Sequence, residues 1–337
     1  MSATMLAGRM NFATGEFAVK EVPVPQPGPG EVRVQVKAAG VCLSDVHLIA
    51  RILTPLFLDG DEVTLGHEVA GVVESLGEGV RGVEVGARVI VNAGKEAGGN
   101  LLTLGVDYDG GWAEYLVTPA DTLVPIPDSL PFDQAAIIPD AVSTPWGAIA
   151  WTGKVKQAES VGVWGVGGLG AHGIQLLRFA GAAPIIAVDP VPAARQRALD
   201  FGADLVIDPS ADDFDTQIRD ATGGVGLDVA IDFAGVAPVR KQALDVLRIG
   251  GRLILTGISG GPLTVESDVV FQYTRKQILG HYGSEPRHVS ELVKLTKLGR
   301  LEFSRSISKT MPLGEAAQAV HDLENKVGNP IRIVLVP

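Results

Sequence analysis

The sequence predicts an α/β chain in two parts, a β-rich first domain followed by a doubly wound parallel sheet. Three observations predict it. The chain has 337 residues, more than one hydrophobic core usually organises. Its first part holds short runs of alternating polarity separated by glycine turns. From Ser160 onward, short apolar runs alternate with helix-like ones.

Glu31 to Val36 (EVRVQV) alternates apolar and polar residues and follows a Pro/Gly cluster, so it reads as a half-buried strand. Val69 to Ser75, Arg88 to Val91 and Trp112 to Val117 are further strands, punctuated by Gly77, Gly79, Gly82 and Gly86. Short strands joined by such turns suggest a compact, barrel-like antiparallel domain. Ser160 to Gly165 is an apolar strand, then comes a helix from Leu169 to Ala180 and a strand from Pro184 to Val188. Pro192 suits the first turn of the next helix and Gly202 its end. Leu205–Ile207, Val229–Ile231 and Leu253–Leu255 repeat the strand pattern, with helices at Phe214–Ala221 and Val239–Leu247 between them. Alternation of this kind builds a parallel sheet. Ile331 to Val336 reads as a closing strand.

Composition narrows the partners. A net charge of −11 repels nucleic acid and anionic membranes. The single cysteine, Cys42, excludes an intramolecular disulfide and a cysteine-only zinc site, and fits a reducing cytoplasm. The N-terminus has no signal-like apolar run, and the stretch from Gly165 to Val188 is too polar to span a bilayer.

Gly165-Val166-Gly167-Gly168-Leu169-Gly170 is a G-x-G-x-x-G run between a strand and a helix, with Asp189 closing the next strand. In that setting it matches the dinucleotide fingerprint. Gly165 permits the turn, Gly167 admits a diphosphate to the backbone, and Gly170 lets helix and strand pack closely. The helix N-terminus, with Gly168 and Leu169, offers free N–H groups to the phosphates. A carboxylate at Asp189 accepts from both ribose hydroxyls and repels a 2′-phosphate, which favours NAD over NADP. Arg195 and Arg197 lie close enough in sequence to accommodate that phosphate, or else are solvated charges on a helix.

The sharper constellation is Cys42-Leu43-Ser44-Asp45-Val46-His47, then Gly66-His67-Glu68, then Pro139-Asp140. Singly, each could be structural. In this order, upstream of a dinucleotide fold, they resemble the zinc-dependent alcohol dehydrogenases of the medium-chain dehydrogenase/reductase family, and the resemblance runs through nearly the whole chain. It implies a GroES-like catalytic domain over residues 1–141 and 285–337 and a Rossmann domain over 142–284. It implies zinc ligation by Cys42, His67 and Asp140, the last where many relatives carry a second cysteine. Glu68 would sit behind the metal, Asp45 would orient His67, and Ser44 would touch the substrate oxygen and pass its proton toward His47. Thr144 and Leu169 would border the nicotinamide ring, and Arg332 would pair with the diphosphate. Leu43 departs from relatives with a phosphate-binding side chain there. Trp112 and Trp146 belong either to the substrate cleft or to the core.

The segment from Asn92 to Asp109 lacks the four cysteines of a structural zinc lobe, so one catalytic zinc per subunit is expected. The implied reaction is reversible hydride transfer between an alcohol/carbonyl pair and NAD(H), by a cytoplasmic homodimer or homotetramer without nucleic-acid or membrane partners. Two alternatives stand beside it: a zinc-free enone or quinone reductase of the same fold, and a non-catalytic nucleotide-binding protein.

Overall fold

A computed structural model describes residues 3–258, 261 and 263–337. The chain forms two compact units, Met1–Ser143 with Ser284–Pro337, and Thr144–Gly283. The first unit is therefore discontinuous, and its last segment returns after the second unit is complete.

Alternation explains the first unit's longest strand, Glu31–Val41. Val32, Val34 and Val36 point inward at 0%, 0% and 3% exposure, with half-buried Arg33, Gln35 and Lys37 between them. Past Lys37 the alternation gives way to the continuous buried run Ala38–Val41, so the strand runs five residues beyond the expected Val36 and delivers Cys42 into the interior. Its sheet has seven strands, ordered Leu123–Pro125, Arg88–Val91, Val69–Leu76, Glu31–Val41, Arg332–Val336 and Ile307–Pro312, with Tyr115–Pro119 also paired to Glu31–Val41. All of these pairings are antiparallel except Ile307–Pro312 with Arg332–Val336, which is parallel. A three-stranded sheet, Glu16–Pro23, Thr4–Asn11 and Glu62–Thr64, adds a second layer of pairing. The strand expected from Trp112 starts at Tyr115, so Trp112 lies before it. It is fully buried in the core, and its indole N–H donates to the Gly40 carbonyl at 3.0 Å.

The cysteine-free segment folds as a small hairpin, Gly94–Ala97 with Asn100–Thr103. Asp107, 8% exposed, ties it down: one carboxylate oxygen accepts from the Thr103 amide at 2.9 Å. The other accepts from the Leu56 and Phe57 amides at 3.3 and 3.1 Å. Lys95 Nζ adds a cation–π contact, 3.7 Å from the Tyr108 ring centre. A carboxylate with three amide donors thus joins two loops in the lobe where relatives are expected to carry structural zinc.

The second unit holds a six-stranded, wholly parallel sheet ordered Leu205–Ile207, Ile185–Val188, Val161–Trp164, Leu227–Asp232, Leu247–Leu255 and Gln277–Gly280. The order reverses direction between Val161–Trp164 and Leu227–Asp232, and ligands of such sheets bind beyond the strand ends at that reversal. Gly165 turns the chain there with φ +86°, a conformation side chains disfavour. A Cβ on Gly170 would lie 1.8 Å from the Gly165 carbonyl oxygen, so only glycine lets helix Gly168–Ala180 start this close to the strand. Among the described residues no helix is long and apolar enough to cross a membrane.

Asp107→Ala should strand three amides and cost about 2 kcal/mol locally. Limited proteolysis should then cut the 94–103 hairpin faster than in the wild type. Equal cutting rates would show that packing alone holds it.

Candidate metal centre and coenzyme turn

Three separate pieces of backbone aim their side chains at one point of the first unit. Helix Leu43–Ile49 begins directly after Cys42, and Asp45, three residues on, accepts from the Cys42 amide at 2.9 Å in a capping box. His67 and Glu68 precede strand Val69–Leu76, where the Glu68 carbonyl accepts from the Gly40 amide at 2.8 Å. Asp140 comes from a single π-helical turn, Ile138–Val142, a local widening often found at functional sites. The turn frees the Ala141 amide, which donates to Glu68 Oε1 at 3.0 Å.

The donor atoms of Cys42, His67, Glu68 and Asp140 lie within 4.8 Å of one another. Cys42 Sγ is 3.3 Å from Asp140 Oδ2, and His67 Nε2 is 3.4 Å from the same oxygen. Bonds of about 2.0–2.3 Å in a tetrahedral zinc site put neighbouring donors roughly 3.3–3.7 Å apart, so this set fits the metal. Glu68 Oε2 adds a buried carboxylate oxygen without a hydrogen-bond partner. A Cβ on Gly40 would fall 1.9 Å from that atom, so the glycine makes room for the carboxylate.

Around the donors lies a set of charges. Asp45, fully buried, faces His67 Nδ1 at 3.5 Å, leaving Nε2 toward the other donors. Ser44 Oγ is 3.3 Å from that Nε2. Arg332, 3% exposed, lies 2.9 Å from Glu68 Oε1, 3.6 Å from Asp140 Oδ2 and 3.7 Å from Cys42 Sγ. Burial alone would lower the His67 pKa, but Asp45, Asp140 and Cys42 hold it well above the ordinary histidine value. Burial pushes the Glu68 carboxyl up, against the pull of Arg332. Burial disfavours the charged form of Arg332, yet Glu68, Cys42 and Asp140 together keep it charged.

His47 is half-buried on the same helix as Ser44, and burial lowers its pKa. The expected site residues Cys42, Ser44, Asp45, His67, Glu68 and Asp140 therefore converge. Arg332 converges with them instead of standing open to solvent, and its expected contact with a diphosphate rests on the resemblance alone.

The other expected residues belong to the second unit. Gly167 is exposed, and a Cβ on it would have open space around it, so the turn leaves an unfilled cradle. Helix Gly168–Ala180 starts there without a side-chain cap, which leaves its first amides for an anion. Gly168 and Leu169 are half-buried in its first turn. Asp189, 8% exposed, accepts from the Val166 and Val191 amides, each at 2.8 Å. Arg195 donates to the Asp189 carbonyl at 2.7 Å and to Asp208 at 2.9 Å, while Arg197 donates to the Val166 carbonyl at 2.8 Å. Both arginines hydrogen-bond within the fold, Arg195 half-buried and Arg197 buried. Thr144 is 4% exposed, and its carbonyl accepts from His281 at 2.9 Å. Trp146 is half-buried, 6.2 Å from the Phe179 ring.

Known proteins share both halves. The alcohol dehydrogenase GroES-like domain family matches residues 28–128, and the zinc-binding dehydrogenase family matches residues 168–297. The chain is 33% identical over 315 residues to an L-threonine 3-dehydrogenase of Pyrococcus horikoshii, covering 86% of each. It is 30% identical to an NAD-dependent alcohol dehydrogenase of Sulfurisphaera tokodaii, over 95% of this chain and 96% of the other. A Sinorhizobium meliloti structure described as a zinc-binding dehydrogenase bound to NADP superposes with a TM-score of 0.90 at 28% identity, covering 100% of both chains. With the donor cluster in one unit and the glycine turn in the other, the chain belongs to the zinc-binding dehydrogenases of the medium-chain alcohol dehydrogenase family.

Proposed function

We propose that this protein is an alcohol dehydrogenase that holds one zinc per chain at Cys42, His67 and Asp140 and prefers NAD(H). The observation that carries the reading is the convergence of sulfur, nitrogen and carboxylate donors within 4.8 Å in a buried pocket. When bound, zinc supplies a Lewis acid that makes an alcohol hydroxyl more acidic, and the nicotinamide supplies the hydride acceptor or donor.

The chain's own residues prepare the rest. Asp45 faces His67 Nδ1 at 3.5 Å and so orients the ring with Nε2 toward the other donors. Arg332 balances Glu68 and Asp140, which would otherwise repel each other in a buried space. The Ser44 hydroxyl, beside His67 Nε2, exchanges a proton with the substrate oxygen. His47, whose pKa burial lowers, accepts that proton onto its ring on the way to solvent. Asp189 presents an anion where a 2′-phosphate would otherwise sit, while the nearby Arg195 and Arg197 each turn NH1 to a backbone carbonyl. The edge strand Gln277–Gly280 offers unpaired backbone groups to a second copy, in keeping with a dimer or tetramer.

Cys42→Ala and His67→Ala should each lower alcohol turnover by about a thousandfold or more while NADH still binds. Retained turnover in either variant would refute the metal assignment. Elemental analysis of the purified protein should return one zinc per chain, and a value of two would contradict the reading of the 94–103 lobe. Asp189→Ala should narrow the preference for NAD over NADP by about tenfold. A wild type that already prefers NADP would show that Asp189 does not set the choice.

A further inference from the structure

We propose that Arg197 is a positioning residue for the coenzyme, holding the Gly165–Gly168 turn in its phosphate-binding shape through the carbonyl of Val166. The role rests on the coenzyme reading above and adds to it a residue outside the glycine motif.

A guanidinium is costly to bury, and Arg197 is only 8% exposed. It stands in the helix Pro192–Asp200, and burial lowers its pKa while the neighbouring Asp189 opposes that shift. Its NH1 donates to the Val166 carbonyl at 2.8 Å. The amide of the same Val166 donates to Asp189 Oδ2, also at 2.8 Å. One residue of the turn is therefore held at both ends by opposite charges, the cation on its carbonyl and the anion on its amide.

Peptide planarity turns this into an orientation. The Val166 carbonyl and the Gly167 N–H belong to one rigid, trans plane and point in opposite directions. A carbonyl aimed at Arg197 sends the Gly167 N–H away from that guanidinium, and Gly167, next to the uncapped start of helix Gly168–Ala180, has open space beside it. Gly165 and Gly167 flank Val166, and glycine is the residue with the most backbone freedom to lose. Without an anchor the turn would have to be ordered by the coenzyme itself, at the expense of affinity. Arg197 provides the anchor in advance. It faces the protein side of the turn, so its effect is common to every ligand bearing the diphosphate and indifferent to the 2′ position.

The test is fluorescence titration of the holoprotein with NADH and NADPH, and competition by ADP-ribose and by adenosine, in the wild type, Arg197→Gln and Arg197→Lys. Arg197→Gln should weaken NADH, NADPH and ADP-ribose by one shared factor of about tenfold, as expected for a lost charged hydrogen bond. Adenosine, which has no diphosphate, should bind as before. Arg197→Lys should recover part of the loss, and the kinetic penalty should fall on KM for NAD rather than on kcat. Selective weakening of NADPH would overturn the proposal by making Arg197 a 2′-phosphate ligand. Equal weakening of adenosine would reduce it to general support of the domain, and unchanged affinities would remove it. If the glutamine variant does not fold, the lysine series carries the same comparison. A wild type that binds neither NADH nor ADP-ribose would refute the coenzyme reading itself.

Discussion

The pairing of Arg332 with Glu68 is the constraint on which the centre depends. Three carboxylates and a thiol crowd one buried region, and burying like charges together is strongly unfavourable. Arg332, reaching Glu68, Asp140 and Cys42 from a single guanidinium, is the counter-charge that makes the arrangement tolerable. Glu68 in turn couples the π turn to the sheet, because the Ala141 amide and the Arg332 guanidinium share its Oε1. Gly40 leaves the volume in which the carboxylate lies, and Trp112 caps the Gly40 carbonyl. Replacing the pair with apolar residues of similar size would be conceivable for stability. It would leave Asp140 and Cys42 without the guanidinium that reaches both.

Much of this was legible before any coordinates. The sequence places Cys42, His67 and Asp140 in one centre through the resemblance their motifs carry, and the coenzyme turn follows from a strand, a glycine run and a helix in the right order. The parallel strands of the second unit are readable because strands buried on both faces are short and uniformly apolar, as in VGVW and IIAV. Other elements resist the same treatment. Strand Glu16–Pro23 has no buried residue, so it carries no inward pattern to detect. Leu247–Leu255 contains Gly250 and Gly251 and a register shift, and only its last three residues read as a strand. Helix Pro286–Lys297 did carry a signal, with Pro286 at its start and Val289, Leu292 and Val293 on one buried face, but that stretch gave no sequence reading. Helix Ala237–Asp245 starts two residues earlier than expected because Pro238 sets its first turn.

The side-chain roles divide along a similar line. Asp45 is visible in sequence through the resemblance that its motif carries, while the capping box it makes with the Cys42 amide shows only in the fold. Arg332 and Arg197 act across 264 and 31 positions, as differences of residue number from Glu68 and Val166. No local pattern announces such contacts, and both arginines lie in segments whose periodicity describes an ordinary strand or helix. The π turn is equally hidden: no local pattern signals the widening that presents Asp140 and turns the Ala141 amide to Glu68.

The route of the chain has a consequence for biosynthesis. Arg332 lies on the strand that fills the gap between Glu31–Val41 and Ile307–Pro312, and it leaves the ribosome only after the entire segment 144–283. The Rossmann half can thus complete its sheet during translation, whereas the half with Cys42 must wait, its acidic cluster lacking a guanidinium. Assembly of the donor cluster is in this way deferred until the strands of the second unit have all been synthesised.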